Sequence, residues 1–559
     1  MTRLKFRAIV FICTGVSIWL RIIVPPSPGF GSTHDDELLV RLADQIRQGN
    51  WLGEYEKLGH LTLSKPPGYS MFLAYTHFLP WSPLMTAHLM LLTGALLIAR
   101  EFRALGVSRL VTAGLYISLS LFSQWFGDQI SRVYRESLLT GLSFLIIALS
   151  LTMFRLLRDF ALQQARAKVD LARIGLCSLS LGLIISWYRI TKPGWYPFLI
   201  FIALTCCLAF FTWRRGTRIR KLCCAGVAVL IVLTSSQLFG VYVGRQNQKF
   251  YGISGIDTFS EGAFPRALNR WASVKPKSSR MYVVIDARQR EAVYKVSPTA
   301  AKLAPFLELS VGSGWRGQAC QHMGICDEST AWFPWDLRDA VQAAGLGKSA
   351  AQFERSLDRI ANDISIACAT GRLKCGPHGL GPGVQPVDRI PKRELLDAIS
   401  LAATTLFQPA DVNTARGPFV ELKKDSIDLW QRTVKGLPSL SYQSPYRPGA
   451  RYLVSSVQLI DKIQKTLWAP LIILGLLGLC WKTEESRASK LQRRLGVTFL
   501  VSLVVYIGQL AVLEVSSGTF VAIGASLYLL PVYPLFISSI FLGLSRLEAG
   551  MKGRLSRPS

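Results

Sequence analysis

Runs of apolar residues about as long as a bilayer is thick recur from one end of this sequence to the other. They lie at roughly 8–24, 69–99, 110–126, 137–154, 174–187, 195–212, 222–243, 466–481, 495–513 and 520–544. About 20 mostly apolar residues, rising about 1.5 Å each, cross the roughly 30 Å hydrocarbon core. Lipid offers the backbone no hydrogen-bond partner, so such runs are helices. The pattern predicts an all-α polytopic membrane protein with about ten transmembrane helices. A mean hydropathy of +0.30 over 559 residues agrees. A cleaved signal peptide is the competing reading of the first run. Arg21 and a Pro-rich stretch follow it instead of a small-x-small cleavage site, so it reads as a retained helix.

The formal net charge of +29 does not point to nucleic acid, because the cations form no stripe on one soluble domain. They cluster on every second connection: Arg100/Arg103/Arg109, Arg155/Arg158/Arg166/Lys168/Arg173, Arg214/Arg215/Arg218/Arg220/Lys221 and Lys482/Arg487/Lys490/Arg493/Arg494. The tail adds Arg546, Lys552, Arg554 and Arg557. By the positive-inside rule these belong in the cytoplasm, as do both termini. The acidic first loop 25–68, the short loop near 127–136 and a long polar segment then face outward. The expected setting is the inner membrane of a bacterium.

Three parts follow: an N-terminal transmembrane module, 1–244, with its first outer loop 25–68; an inserted, mostly helical extracytoplasmic domain, 245–465; and C-terminal helices with a basic cytoplasmic tail, 466–559. The inserted domain shows a strand-like run at Met281–Ile285 and helical stretches near 287–308, 336–345, 349–369 and 391–406. Its four cysteines lie where pairing is permitted. Cys320 with Cys326 and Cys368 with Cys375 are the local choices among three pairings. The spacings are not those of a zinc site, and the nearby His322 and His378 are isolated. The cysteines in or beside apolar runs, Cys206 and Cys207 among them, read as small packing residues.

Three clusters of charge stand at the outer ends of helices. In His34-Asp35-Asp36-Glu37, successive carboxylates could hold a divalent cation, Mg or Mn, or one could take a proton from an acceptor hydroxyl; acids favouring a helix N-terminus explain them equally well. Leu38, Leu39, Leu42 and Ile46 follow on one face, which suits a helix lying on the membrane surface. In Arg132-Val-Tyr-Arg135-Glu136, Glu136 is placed to face the first cluster; an interfacial anchor is the plainer role. In Tyr188-Arg189-Ile-Thr-Lys192-Pro193, Arg189 and Lys192 are cations where orientation does not require them. With Lys65 of the first loop they suit a lipid phosphate or, more plainly, a headgroup contact.

The stretch from His34 to Ala43, then Gly49-Asn-Trp51-Leu-Gly53 and Leu63-Ser-Lys65-Pro-Pro-Gly68-Tyr69, resembles the first outer loop of GT-C superfamily glycosyltransferases. The protein O-mannosyltransferase and aminoarabinose-transferase branches are the most similar. The Tyr134-Arg-Glu-Ser137, Ile190-Thr-Lys-Pro193 and Tyr528-Leu-Leu-Pro531 segments are similar to later motifs of that superfamily. The chain departs at Leu527, where many relatives carry Arg. The resemblance implies sugar transfer from a polyprenyl-phosphate donor to a glycan, lipid or protein acceptor, with inversion. It implies catalytic Asp35, Asp36 and Glu136, donor-phosphate contacts from Lys65, Arg189 and Lys192, and support from Glu37, Arg135 and Tyr528. No cofactor is required; a metal, if held, would be held by Asp35 and Asp36. A transporter or flippase is the rival class, although no internal repeat is evident and the charges sit at helix ends instead of mid-membrane. A non-enzymatic envelope-assembly protein is the other.

Overall fold

The computed structural model describes residues 1–24, 26–29, 34–55, 61–162, 167–193, 202, 218–276, 280–309, 312–377, 379, 384–406, 424–437, 450–481, 487–518 and 525–555. Among them the chain is helical, with no strand and three isolated β-bridges. Among the described residues, eight helices are long and apolar enough to span a membrane. The expected run at 195–212 lies outside the described residues apart from 202, and so do Cys206, Cys207 and His378.

The first half forms α1 (Arg3–Ile23), α2 (Asp36–Arg47), α3 (Gly68–Thr76), α4 (Pro83–Ala104), α5 (Arg109–Ser120), α6 (Asp128–Ser131), α7 (Arg135–Leu162) and α8 (Ala167–Thr191). The run expected as one span over 69–99 is two helices. Pro80 and Pro83 interrupt it, and Ser82 caps α4 by accepting from the Met85 amide. The run 110–126 is likewise shorter than a span: α5 ends at Ser120, and a 3-10 turn covers Ser123–Phe126.

α4 and α7 lie at the centre, pressed together at glycines. A Cβ on Gly94 would fall 2.7 Å from the Phe144 carbonyl carbon, and one on Gly141 would fall 2.7 Å from the Ala87 oxygen. Lipid tails are as apolar as leucine, so close backbone approach supplies much of the packing between such helices. The same device joins the helices Ala450–Cys480 and Tyr533–Leu555, where Gly475 and Gly478 meet Gly543. α1 is peripheral, with Phe11, Ile12, Trp19 and Ile22 exposed on its outer face.

Three sequence expectations change. The amphipathic α2 does not lie bare on a membrane surface. Leu38 and Leu42 pack with Trp51, Ile190 and Val243, while Leu39, Val40 and Ala43 enter the transmembrane core. Met281–Ile285 forms no strand; it is a turn with one bridge, Arg280 to Val283, because no neighbouring strand exists to pair with it. The boundaries drawn at 244/245 and 465/466 fall inside the helices Leu238–Tyr251 and Ala450–Cys480, whose polar ends continue past their apolar runs.

The inserted domain has its own core. Ala263–Ser273 packs on Ala350–Ala369 through Phe264, Trp271, Phe353 and Ile360. Arg290 is buried with the Glu308 and Glu328 carboxylates at 2.7 and 2.6 Å. The disulfides Cys320–Cys326 and Cys368–Cys375 close short loops. A segment of this domain returns to the first loop: the helix Lys424–Thr433 packs on α2, where the Ser426 hydroxyl donates to Glu37 at 2.6 Å.

Candidate active site

The Arg132–Glu136 segment enters α7 and carries the site. The backbone of Ser27 bonds to it on both sides, donating to the Ser131 carbonyl at 2.8 Å and accepting from the Val133 amide at 3.0 Å. This clamp brings the first loop against the N-terminus of α7. Gly68 brings the start of α3 against the end of α8, so closely that a Cβ there would lie 2.6 Å from the Ile190 carbonyl oxygen. Gly49 and Gly53, at φ of +81° and +90°, turn the intervening loop in a region where side chains are strained.

Three of the expected residues, Asp35, Lys65 and Arg135, meet with Arg132 around Tyr134, to which the sequence assigned no role. Its hydroxyl donates to Asp35 Oδ1 at 3.2 Å. The Lys65 ammonium pairs with that same oxygen and lies 5.8 Å from the Tyr134 ring centroid. Arg132 and Arg135 stand 4.7 and 5.2 Å from the same centroid. Arg135 is 3.6 Å from Glu136, and Glu136 is 3.1 Å from the Lys192 ammonium. Lys192 in turn lies 4.5 Å from the Tyr528 ring centroid. A continuous polar chain therefore runs from Asp35 to Lys192 across the mouths of α7 and α8.

The carboxylates differ in surroundings. Asp36 is fully buried, and Arg132 grips it with Nε at 2.6 Å and Nη2 at 2.5 Å. Burial pushes its carboxyl up to about 6 despite that cation. Asp35 keeps 42% of its side chain exposed. Burial works to raise its carboxyl too, but Lys65, with Arg132 and Arg135, overrides this and holds it well below the usual carboxylate range. Burial lowers the Lys65 and Lys192 ammoniums, against the pull of Asp35 and Glu136 respectively. Glu136 is fully buried, and its Oε2 has no hydrogen-bond partner among the described residues.

Two expected residues stand elsewhere. Glu37 turns away from Asp35 to Arg41, at 2.5 Å, and to Ser426, because residues two apart at a helix start point to nearly opposite sides. Arg189 points to the other side of α8. It donates to Gln237, pairs with Glu261 at 3.3 Å and lines a separate cavity with Arg245 and Gln248. Arg189 and Lys192 are three residues apart, but the helix ends at Thr191, so they diverge. No group of three or more His, Cys, Asp or Glu side chains converges as a metal site among the described residues.

Asp35 and His34 also open onto a cavity of about 560 Å³ whose remaining wall belongs to the inserted domain. Neither Glu136 nor Lys192 lines it. Trp335 backs this wall, 5.4 Å from the Lys65 ammonium and 5.5 Å from the His34 ring. Tyr134 was legible in part, as the aromatic residue inside Arg132-Val-Tyr-Arg135. Trp335 was not, since about three hundred residues separate it from the loop it touches.

No protein-family model and no curated protein matches the chain. Among solved structures, two of ArnT from Cupriavidus metallidurans are similar to it, one bound to undecaprenyl phosphate and one in the apo state. Both are 13% identical, with a TM-score of 0.30; they cover 98% of this chain and 78% and 77% of that one respectively.

Proposed function

We propose that the chain is a membrane glycosyltransferase of GT-C type, moving a sugar from a polyprenyl-phosphate donor to an acceptor hydroxyl at the extracytoplasmic face. The observation that carries this reading is one continuous cluster at the helix mouths: a half-exposed carboxylate, Asp35, beside the cations Lys65, Arg135 and Lys192. Group transfer from a lipid phosphate needs that pairing: an acceptor for the incoming hydroxyl's proton and positive charge for the departing phosphate.

The acceptor oxygen attacks the anomeric carbon, and the bond from that carbon to the phosphate oxygen breaks. The hydroxyl proton passes to Asp35. The polyprenyl phosphate leaves with its charge met by Lys65 and Lys192, and Arg135 pairs with Glu136 beside them. Asp35 paired with Lys65 is a weak base. A donor phosphate drawing Lys65 toward itself would remove the cation that holds the Asp35 carboxyl low, so donor arrival prepares the base. Asp36 fixes Arg132, and through it one face of Tyr134, so it acts as a positioning residue. Direct displacement inverts the anomeric centre. The sequence-derived orientation, with both termini cytoplasmic and residues 245–465 outside, puts the cluster on the face where such acceptors are modified.

The full chain in lipid nanodiscs, incubated with a panel of polyprenyl-phosphate sugars, should release polyprenyl phosphate, and Asp35→Asn should abolish the release. Turnover that survives Asp35→Asn unchanged would remove the proposal.

A further inference from the structure

The cavity over Asp35 is built from two kinds of wall. One is apolar: Phe306, Leu309, Ala340 and Ala343, with the Trp315 indole. The other is polar, with His34, Gln318 and the carboxylates Asp35, Asp336 and Asp339. No Lys or Arg lines it among the described residues. Trp315 is half-buried and locked in orientation: its indole N–H donates to Asp339 at 2.6 Å, the His34 ring meets it edge-on at 4.9 Å, and Trp335 stacks behind at 6.3 Å.

A volume near 560 Å³ suits a small molecule or a short piece of a polymer. The Asp35 charge is already met by Lys65, but Asp336 and Asp339 add negative charge that no lining Lys or Arg offsets among the described residues, so this cavity disfavours the donor's phosphate. A fixed aromatic face beside hydrogen-bond acceptors is complementary to a ligand with C–H bonds on one face and hydroxyls around its edge. That ligand is a sugar ring.

We infer that the inserted domain supplies a glycan-binding subsite, in which Trp315 stacks under one ring of an acceptor glycan lacking acidic groups and Asp339 and Gln318 bond its hydroxyls. Asp35 closes the far end, so the hydroxyl nearest the ring's edge meets the carboxylate that receives its proton. The role as acceptor subsite rests on the glycosyltransferase reading; the binding of uncharged sugar does not.

The test reads binding without turnover. The full chain in nanodiscs is titrated with uncharged gluco-, galacto- and manno-configured di- and trisaccharides, and with the same sugars carrying a carboxylate or phosphate, by saturation-transfer NMR. Uncharged sugars should bind through their C–H protons. Trp315→Ala should weaken binding roughly tenfold or more, and Trp315→Phe should restore part of it. A thermal-unfolding midpoint for each variant separates lost binding from lost fold. Binding that prefers the acidic sugars, binding untouched by Trp315→Ala, or no binding by any sugar would each overturn the subsite. Sugar binding by a chain that transfers nothing from any donor would keep the subsite and discard the enzymatic reading.

Discussion

Asp35 and Asp36 are neighbours in sequence with opposite environments, and their roles separate on that basis. Asp35 is open to a cavity and held ionised by Lys65; Asp36 is sealed under Arg132. Asp35→Asn removes the proton acceptor and is expected to lower sugar transfer by a factor on the order of 10²–10⁴, with unfolding temperature little changed. Arg132→Met leaves Asp36 buried without its cation, a change that typically costs about 3–5 kcal/mol unless the acid takes up a proton. Its signature would be a drop in stability that steepens with rising pH. The Asp36 carboxyl, near 6 in the folded chain, lies above its ordinary 3.8. It therefore contributes stability that is complete below the lower value and lost as pH rises through the upper one. The Arg132 ion pair forms over the same interval. Between roughly pH 4 and 6 thermal stability should fall, while sugar transfer rises as pH passes about 6. An Asp36→Asn chain showing both trends undiminished would assign them to other groups.

At the scale of elements, the site depends on how tightly the first loop docks against α8. Gly68 sets that distance. In Gly68→Ala the new methyl meets the Ile190 backbone oxygen, which cannot rotate away as a side chain could. The expected result is a loss of about 1–3 kcal/mol, with donor KM and kcat both impaired, because Lys65 and Lys192 ride on the two elements that part. Circular dichroism melts together with donor turnover check it; an unchanged melt would mean that the loop docks by other contacts. The helix Lys424–Thr433 grips α2 from the opposite side through Arg432 and Asp44, at 2.9 Å. Through α2, the inserted domain thus braces the loop that carries Asp35.

For the whole molecule, the distribution of charge predicts sidedness. A cysteine placed at exposed Lys302 should react with a membrane-impermeant maleimide on intact cells, and one at exposed Lys490 should not, above the background of the unsubstituted chain. The reverse pattern would put the Asp35 cluster on the cytoplasmic side and overturn the proposed orientation. The same global arrangement explains why the inserted domain matters. It lies over the first loop and makes most of the wall of the cavity onto which Asp35 opens.

Hydropathy and the placement of basic residues determined the all-helical, multi-spanning architecture by themselves, because a bilayer imposes one length and one backbone solution on every crossing. The same reasoning singled out Asp35, Lys65, Glu136 and Lys192, which the fold brings into one chain of contacts, since charges at helix ends are rare enough in a membrane to be noticed singly. It misplaced Arg189 and Glu37, whose direction depends on where a helix stops and which face it turns. Tertiary structure alone decided that Tyr134 would gather three cations, that Asp36 would be sealed by Arg132, and that Trp315 and Trp335 would stand beside His34. Apart from Arg132 and Arg135, which neighbour Tyr134 in the chain, those contacts join segments tens to hundreds of residues apart, and no local pattern of size, charge or period records a partner at that distance.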